Sequence, residues 1–241
     1  MKEKFLIFGM ASIYPRKYNS NVWRKRELDY FLSIKSIINL HVDTDLYIFD
    51  NSINSIDKIF HSGLKQILLE KIENYPVLIS KFIGASDIYK KNNDKGFIEL
   101  LKYSGDYIEQ FAKDNNYITI LNLRRYFLSS MWFHLIEELL YSNKYEILVM
   151  SNKQTELKNM KIICEKDVPI SDSIFTMRKD LFLEYIDFLR SVKFPKVFNS
   201  DNILWEFIKE KRFYLAENVG IMRNEWNVNN QNFALSNMKF S

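Results

Sequence analysis

Asn92-Asn93-Asp94-Lys95-Gly96-Phe97-Ile98-Glu99, followed by an amphipathic segment and then by Tyr117-Ile118-Thr119-Ile120-Leu121-Asn122-Leu123-Arg124-Arg125-Tyr126-Phe127, decides how this chain is read. A polar loop containing glycine opens a helix, and the helix feeds an apolar strand ending in two arginines and a tyrosine. Phe97, Leu100, Leu101, Ser104, Ile108 and Phe111 form one helical stripe, and Ile118 to Leu123 has the continuous apolar character of a strand buried on both faces. Charge at a strand end beside a helix N-terminus is where α/β proteins hold anions.

The pattern repeats outward from there. Phe5 to Met10 reads as a buried first strand, and a polar loop from Ser12 to Asn21 follows it. Leu28, Phe31, Leu32, Ile34 and Ile38 mark a helix between Arg24 and Asn39. Leu46-Tyr47-Ile48-Phe49 is a second strand, ending at Asp50-Asn51-Ser52. Strand, helix, strand in this order predicts a right-handed βαβ unit and a parallel pair. A short helix over 53–60 and a third strand at Ile67-Leu68-Leu69 are expected next. Met131, Trp132, Leu135, Ile136, Leu139 and Leu140 define a helix from Ser130 to Tyr141, and Glu146 to Met150 is a strand. Ile174 to Met177 precedes a helix carrying Phe182, Tyr185, Ile186 and Leu189. Ile203, Leu204, Phe207 and Ile208 define another, with Ser200 or Asp201 as its cap.

Bulk composition is consistent with one α/β domain. The chain has 241 residues, 47% of them hydrophobic and 15% aromatic, with only 6 Gly and 4 Pro, which disfavours linker-rich and turn-dense all-β designs. No repeat or linker divides it. Residues 1–223 are expected to form the domain, and the Asn-rich 224–241 a C-terminal tail. A net charge of +4 suits a phosphate-bearing ligand, nucleic acid or an anionic surface and selects none of them. The first apolar run is too short for a signal peptide and no stretch reaches membrane-spanning length, so the expected location is cytoplasmic. The single cysteine, Cys164, excludes an internal disulfide and a cysteine-based zinc site, and its apolar setting reads as structural.

The motifs of P-loop NTPases, classical dehydrogenases, α/β-hydrolases and zincins are absent, and His41, His61 and His134 have no ligand-like spacing. Asp43-Thr44-Asp45 resembles a metal-chelating pair, but it precedes its strand and so belongs to the edge away from ligands. Asp50, with Asn51, stands at the better end, either to accept hydrogen bonds from a base or ribose or to cap a helix. Lys95 and Gly96 offer an ammonium and backbone N–H groups at a helix start. If the strand continues through Arg124 and Arg125, Arg125 and Phe127 share one face, Arg124 and Tyr126 the other. Either arginine could grip a diphosphate through its planar fork, or could pair with Glu99 or Glu138. Asp172, Asp201 and Glu206 are candidates for a general base, with Asp172 expected just before a strand and helix capping as the alternative role for Asp201.

The order of these features resembles the nucleotide-sugar-binding half of GT-A glycosyltransferases. The segments that carry the resemblance are the second strand ending in Asp50-Asn51-Ser52, the N-x-K-G-x-x-E of residues 93–99, Arg125-Tyr126, and Ile174 to Phe182. It implies a single GT-A-like, Rossmann-like domain with a mostly parallel central sheet flanked by helices. It further implies a glycosyltransferase that moves a hexosyl or pentosyl group from a nucleotide-diphosphate sugar, UDP-sugar favoured, to a glycan hydroxyl. Ser12, Asp50, Asn51, Lys95, Gly96, Arg124 and Arg125 would bind the donor, and Asp172, Asp201 or Glu206 would be the base. Where the family's D-x-D stands, this chain has Asn122-Leu123-Arg124, which weighs against Mg²⁺ or Mn²⁺ and suggests arginine in the metal's place. Two rival readings remain. In one the acceptor is a hydroxymethylated base in DNA, tracked by Arg16-Lys17, Arg24-Lys25-Arg26, Tyr14, Tyr18 and Trp23. In the other the chain is a non-enzymatic α/β module.

Overall fold

The computed structural model describes residues 4–11, 20–50, 77–80, 94–113, 115–151, 168–193, 199–217 and 219–223. Strand β1 (Phe5–Ala11) is buried along its whole length, and its side chains part strictly by parity. Phe5, Ile7 and Ala11 join one apolar cluster, whereas Leu6, Phe8 and Met10 join the other. A strand covered on both faces has no reason to alternate apolar with polar, and this accounts for the unbroken apolar run.

Helix α1 (Ser20–Asn39) returns the chain to β2 (Thr44–Asp50), and β3 is Val77–Ser80. After α2 (Asp94–Gly105) and the short α3 (Ile108–Phe111) come β4 (Tyr117–Asn122) and β5 (Arg125–Phe127). Helix α4 (Met131–Leu135) widens into a π-turn over Ile136–Leu140 before β6 (Ile147–Ser151). The remaining elements are β7 (Ile170–Arg178), α5 (Lys179–Ser191), α6 (Ser200–Ile208), β8 (Phe213–Ala216) and β9 (Ile221–Arg223).

Among the described residues one sheet has the order β3-β2-β1-β4-β7-β6-β8, and β5 pairs with β9 in a separate ribbon. β1 runs parallel to β2 and β4, and β2 to β3. β7 is antiparallel to both neighbours, β4 and β6, while β6 and β8 are parallel. The sheet is therefore mostly parallel, with one reversed strand. Helices α1 and α4 contribute Tyr30, Ile34, Ile37, Trp132 and Phe133 to the cluster on one face. Helices α2, α5 and α6 contribute Leu100, Leu101, Phe182, Tyr185 and Leu204 to the cluster on the other.

A buried polar knot ties the first face together. Thr119 and Thr176 are cross-strand partners whose hydroxyls lie 2.8 Å apart, and Trp132 Nε1 donates to Thr176 Oγ1 at 3.1 Å. Each polar group in this apolar setting has a partner, so the knot specifies register instead of costing stability.

Three sequence expectations are corrected, and one lies outside the described residues. The stripe from Phe97 to Phe111 is two helices, because the chain leaves α2 at Gly105 and re-enters at Ile108. The helix from Ser130 to Tyr141 is half π-turn. The third described strand is Val77–Ser80, and both the 53–60 helix and the 67–69 strand lie outside the described residues. The cap of α6 is Asn199, whose side chain accepts from the Asp201 N–H at 3.0 Å. Cys164, His61 and the 224–241 tail also lie outside the described residues. His41 closes α1 with φ 52, and exposed His134 bonds Ser130 at 3.1 Å, which places both in helix termination and surface packing.

Candidate functional site

In a parallel sheet the carboxyl ends of the strands share one edge, and here they are Ala11, Asp50, Ser80, Asn122, Ser151 and Ala216. Because β7 is reversed, its start rather than its end meets that edge. Asp172 therefore lies within β7, not before it as the sequence suggested, and Ser171-Asp172-Ser173 comes level with the end of β4 through the Leu121–Ile174 register. Asp43 and Asp45 are at the opposite edge, where Lys4 Nζ lies 3.7 and 3.6 Å from them.

The expected continuous strand through Arg125 does not form, and this corrects the assignment of faces. β4 stops at Asn122, whose Oδ1 accepts from the Arg124 N–H at 3.2 Å, while the Leu123 N–H donates to Met10 O at 3.1 Å. An Asn side chain that bonds the backbone two residues on makes a turn of its own. The turn puts Arg124 at its corner and starts β5 at Arg125. Alternation across residues 122–125 is thereby lost, and the facing of the two arginines is set by the turn.

Arg125 is half-buried, and its Nη2 donates to Ser173 Oγ at 2.6 Å. Ser171 Oγ donates to Ser173 Oγ at 2.8 Å, which extends the chain of polar contacts along β7. On its other side β5 is strapped to α1. Ser33 Oγ donates to Arg125 O, Ser36 Oγ to Ser33 O at 2.6 Å, and Phe127 N–H to Ser36 Oγ at 3.0 Å. The guanidinium thus rises from a backbone fixed on both sides. Glu99, one of its expected alternative partners, is taken by Lys102 at 3.2 Å.

The carboxylates separate into two groups. Asp201 is 1% exposed, and its Oδ1 accepts from the Asp172 N–H at 2.7 Å, so it ties the start of α6 to the start of β7. An acid in the first turn of a helix also has the favourable end of the helix dipole. Tyr185, fully buried on α5, has its phenol pushed well above the ordinary value, first by burial and then by the negative charges of Asp172 and Asp201. Glu206 is instead exposed farther along α6 and pairs with Lys209 at 2.6 Å. The structure therefore brings Asp172, Asp201, Arg125, Ser171 and Ser173 together and leaves Glu206 apart.

On the other flank Asp50 is 1% exposed at the end of β2, in register with Ala11 and Ser80. Lys95 and buried Gly96 occupy the first turn of α2, while Ser12 and Asn51 lie outside the described residues. Sequence reasoning missed Ser33, Ser36, Asn199 and Tyr185. A serine at i and i+3 inside a helix otherwise rich in large side chains was the available signal for the first two. Among the described residues no three of His, Cys, Asp and Glu gather to hold a metal ion.

No protein-family model matches the chain, and no curated protein matches it in sequence. Solved structures do share its fold. A Bacillus anthracis protein assigned as a glucose-1-phosphate thymidylyltransferase is 12% identical, with 89% of this chain and 86% of that one covered at TM-score 0.50. The inositol-1-phosphate CTP transferase from T. maritima is also 12% identical, covering 88% and 84% at TM-score 0.50. Mouse xyloside xylosyltransferase 1 is 8% identical, covering 89% and 85% at TM-score 0.48. The mixed α/β fold, with its mostly parallel sheet flanked by helices, is the fold of such nucleotide-using transferases.

Proposed function

We propose that this protein is a glycosyltransferase that moves a sugar from a nucleotide-diphosphate sugar, UDP-sugar favoured, to a hydroxyl of a glycan. The observation that carries the reading is Arg125, held by Ser173 at the crossing of the β4 end and the β7 start, one residue along the strand from the acid Asp172. A cationic fork and a carboxylate on one strand edge are what a displacement at a sugar carbon uses: one stabilises the departing diphosphate, the other takes the acceptor proton. The acceptor oxygen forms its bond to the sugar carbon as its proton passes to Asp172. The bond from that carbon to the diphosphate breaks with its electron pair leaving on phosphate, beside Arg124 or Arg125. Asp201 holds the Asp172 backbone, Asp50 and Asn51 serve the nucleoside, and Ser12, Lys95 and Gly96 complete the donor side. Glu206, exposed and paired with Lys209, is the weakest of the three base candidates.

Titration calorimetry with UDP, with and without Mg²⁺, tests the reading, and absence of binding by every nucleoside diphosphate would sink it. A second reading is nucleotidyl transfer to a sugar or polyol phosphate, favoured by the names of the two neighbours at TM-score 0.50. Release of pyrophosphate from a nucleoside triphosphate in the presence of a sugar phosphate selects it. For a DNA acceptor, Tyr14, Arg16, Lys17 and Tyr18 lie outside the described residues, and on α1 Arg26 Nη2 donates to the Tyr30 hydroxyl at 3.1 Å. Among the described residues no helix is long and apolar enough to cross a membrane.

A further inference from the structure

β7 breaks its ladder where it meets the site edge. Its pairing with β6 passes from Val149–Phe175 directly to Met150–Ser171, so residues 172–174 face no residue of β6, and its pairing with β4 ends at Leu121–Ile174. Asp172 and Ser173 therefore pair with neither neighbouring strand, and side chains take over their backbone donors. Asp201 Oδ1 accepts the Asp172 N–H at 2.7 Å, and Ser171 Oγ accepts the Ser173 N–H at 3.3 Å. An irregularity of this kind re-aims the side chains it carries, and such bulges recur beside active sites.

The hydroxyl of Ser173 is left with a hydrogen to give. A serine hydroxyl has one hydrogen to donate and two lone pairs with which to accept. Ser173 Oγ accepts from Arg125 Nη2 at 2.6 Å, a bond in which the guanidinium can only be the donor. It also accepts from Ser171 Oγ at 2.8 Å. Both lone pairs are thus filled, and no acceptor for the Ser173 hydrogen stands among the described residues. A side chain only 6% exposed pays little heed to bulk water, so a hydrogen held there unused is unfavourable until something accepts it. Ser171, itself 2% exposed, bonds both the N–H and the Oγ of Ser173 and so fixes where that hydrogen points. The acceptor that suits a hydroxyl beside a guanidinium is an anionic oxygen. We propose that Ser173 is a ligand-binding residue, whose hydroxyl donates to a diphosphate oxygen of the ligand beside the Arg125 guanidinium. This rests on the nucleotide-diphosphate reading above for the identity of the ligand, and on the directions of the hydrogen bonds for the residue.

The test is calorimetric binding of inorganic pyrophosphate and of UDP across a salt series, with ligand-free melting, for wild type, Ser173→Ala and Ser173→Thr. Ser173→Ala should weaken both probes about tenfold, because a hydrogen bond to a charged group is lost. Ser173→Thr keeps the hydroxyl and should stay within about threefold of wild type. Ser173→Cys, close in shape but a weak donor, carries the same expectation as Ser173→Ala and replaces it if the alanine variant melts near the assay temperature. Ser173→Ala also removes an acceptor of Arg125, and the salt series separates the two effects. Salt screens an ionic contact and leaves a neutral donor alone, so loss of the hydroxyl gives a salt dependence parallel to wild type, whereas a displaced Arg125 flattens it. Wild-type affinity in Ser173→Ala overturns the proposal, and so does a loss with flattened salt dependence, which makes Ser173 a holder of Arg125 alone. Weakened UDP with unchanged pyrophosphate overturns it too, because the hydroxyl then serves another part of the ligand. Pyrophosphate binding that Ser173→Ala weakens in parallel with wild type, with no nucleoside diphosphate bound, supports Ser173 while overturning the nucleotide reading. Binding of neither probe by wild type overturns both.

Discussion

Gly9 sits midway along β1, and replacing it with alanine should damage both stability and the site. A Cβ built there lies 2.7, 2.8 and 3.0 Å from Cδ1, Cγ and Cδ2 of Leu123. Carbon atoms rest at roughly 3.5–4.0 Å, so the overlap is about 0.5–1 Å over three contacts. Leu123 has nowhere to go: it is 0% exposed, and its backbone N–H is bonded to Met10 O at 3.1 Å on β1 itself. Overpacking of this sort costs about 1–3 kcal/mol. Restricting the unfolded chain by replacing glycine returns about 0.4–1 kcal/mol, leaving a net loss near 1–2 kcal/mol. For a domain of this size that lowers the melting temperature by ~2–8 °C. Leu123 also immediately precedes Arg124 in the turn that launches β5, so its displacement moves the base from which Arg125 reaches Ser173. Gly105→Ala is the matched control. Its Cβ would lie 2.7 Å from Ile186 Cγ2, a comparable clash, but at the far end of α2 against α5. Thermal unfolding should show both variants destabilised, and nucleotide titration should show weakened binding in Gly9→Ala alone. Melting of Gly9→Ala within ~1 °C of wild type, or equal loss of affinity in the two variants, would refute the reasoning.

The other predictions concern single contacts. Asp201→Ala should cost about 1–3 kcal/mol in urea unfolding because the Asp172 N–H loses its acceptor, whereas Asp201→Asn keeps an oxygen there and should cost less; equal losses would count against the strap. Thr176→Val leaves the Trp132 N–H and the Thr119 hydroxyl without their shared partner, for about 2–4 kcal/mol, and a loss below about 1 kcal/mol would contradict the buried knot. Arg125→Lys keeps the charge but not the fork, and pyrophosphate affinity measured by calorimetry should fall about tenfold; full retention would show that the fork is not used. For Tyr185 the folded-state pKa is raised above the unfolded value near 10, so its contribution is intact below pH ~10 and is lost as pH rises beyond it. Tyr185→Phe should therefore flatten the fall of stability above pH ~10 by up to one proton, about 1.4 kcal/mol per pH unit, and leave the slope between pH 7 and 9 alone. An unchanged alkaline slope would mean that the phenol is not held neutral by its surroundings.

How far the sequence could be read follows from which signals are local. The β1-α1-β2 unit was legible because burial on both faces gives an unbroken apolar run, and the placement of Asp43 and Asp45 at the far edge followed from chain direction alone. The start of α6 was ambiguous because Asn199, Ser200 and Asp201 can all cap. Only the tertiary contact to the Asp172 N–H, which recruits the Asp201 carboxylate, leaves the cap to Asn199. Leu121-Asn122-Leu123-Arg124-Arg125 reads as continuous strand because side-chain pattern does not reveal that an Asn will fold back on the backbone two residues later. The pairing of β5 with β9 joins residues about a hundred positions apart, which no local pattern can announce.

The direction of β7 is the largest of these hidden terms, and it decides the chemistry. A strand has the same period of 2 whichever way it runs, so Ile174 to Met177 is recognisable as a strand but silent about its sense. Had β7 run parallel to β4, Arg178 would have reached the edge that holds Asp50 and Asn122, and Asp172, six residues before it, would have lain toward the opposite one. Because it is reversed, its first residues meet the last residues of β4, and Ser173 receives the Arg125 guanidinium while Asp172 stands next to it. That Arg125 and Asp172 come to the same edge is therefore a property of topology rather than of spacing. In the same way the Asn122 turn, by ending β4 early, detaches Arg125 from the sheet and hands it to the ribbon that carries Arg223. A D-x-D at this turn would present carboxylates to a metal. The chain presents instead a turn-forming amide followed by two arginines, so what stands at the end of β4 is cationic where a D-x-D would be anionic.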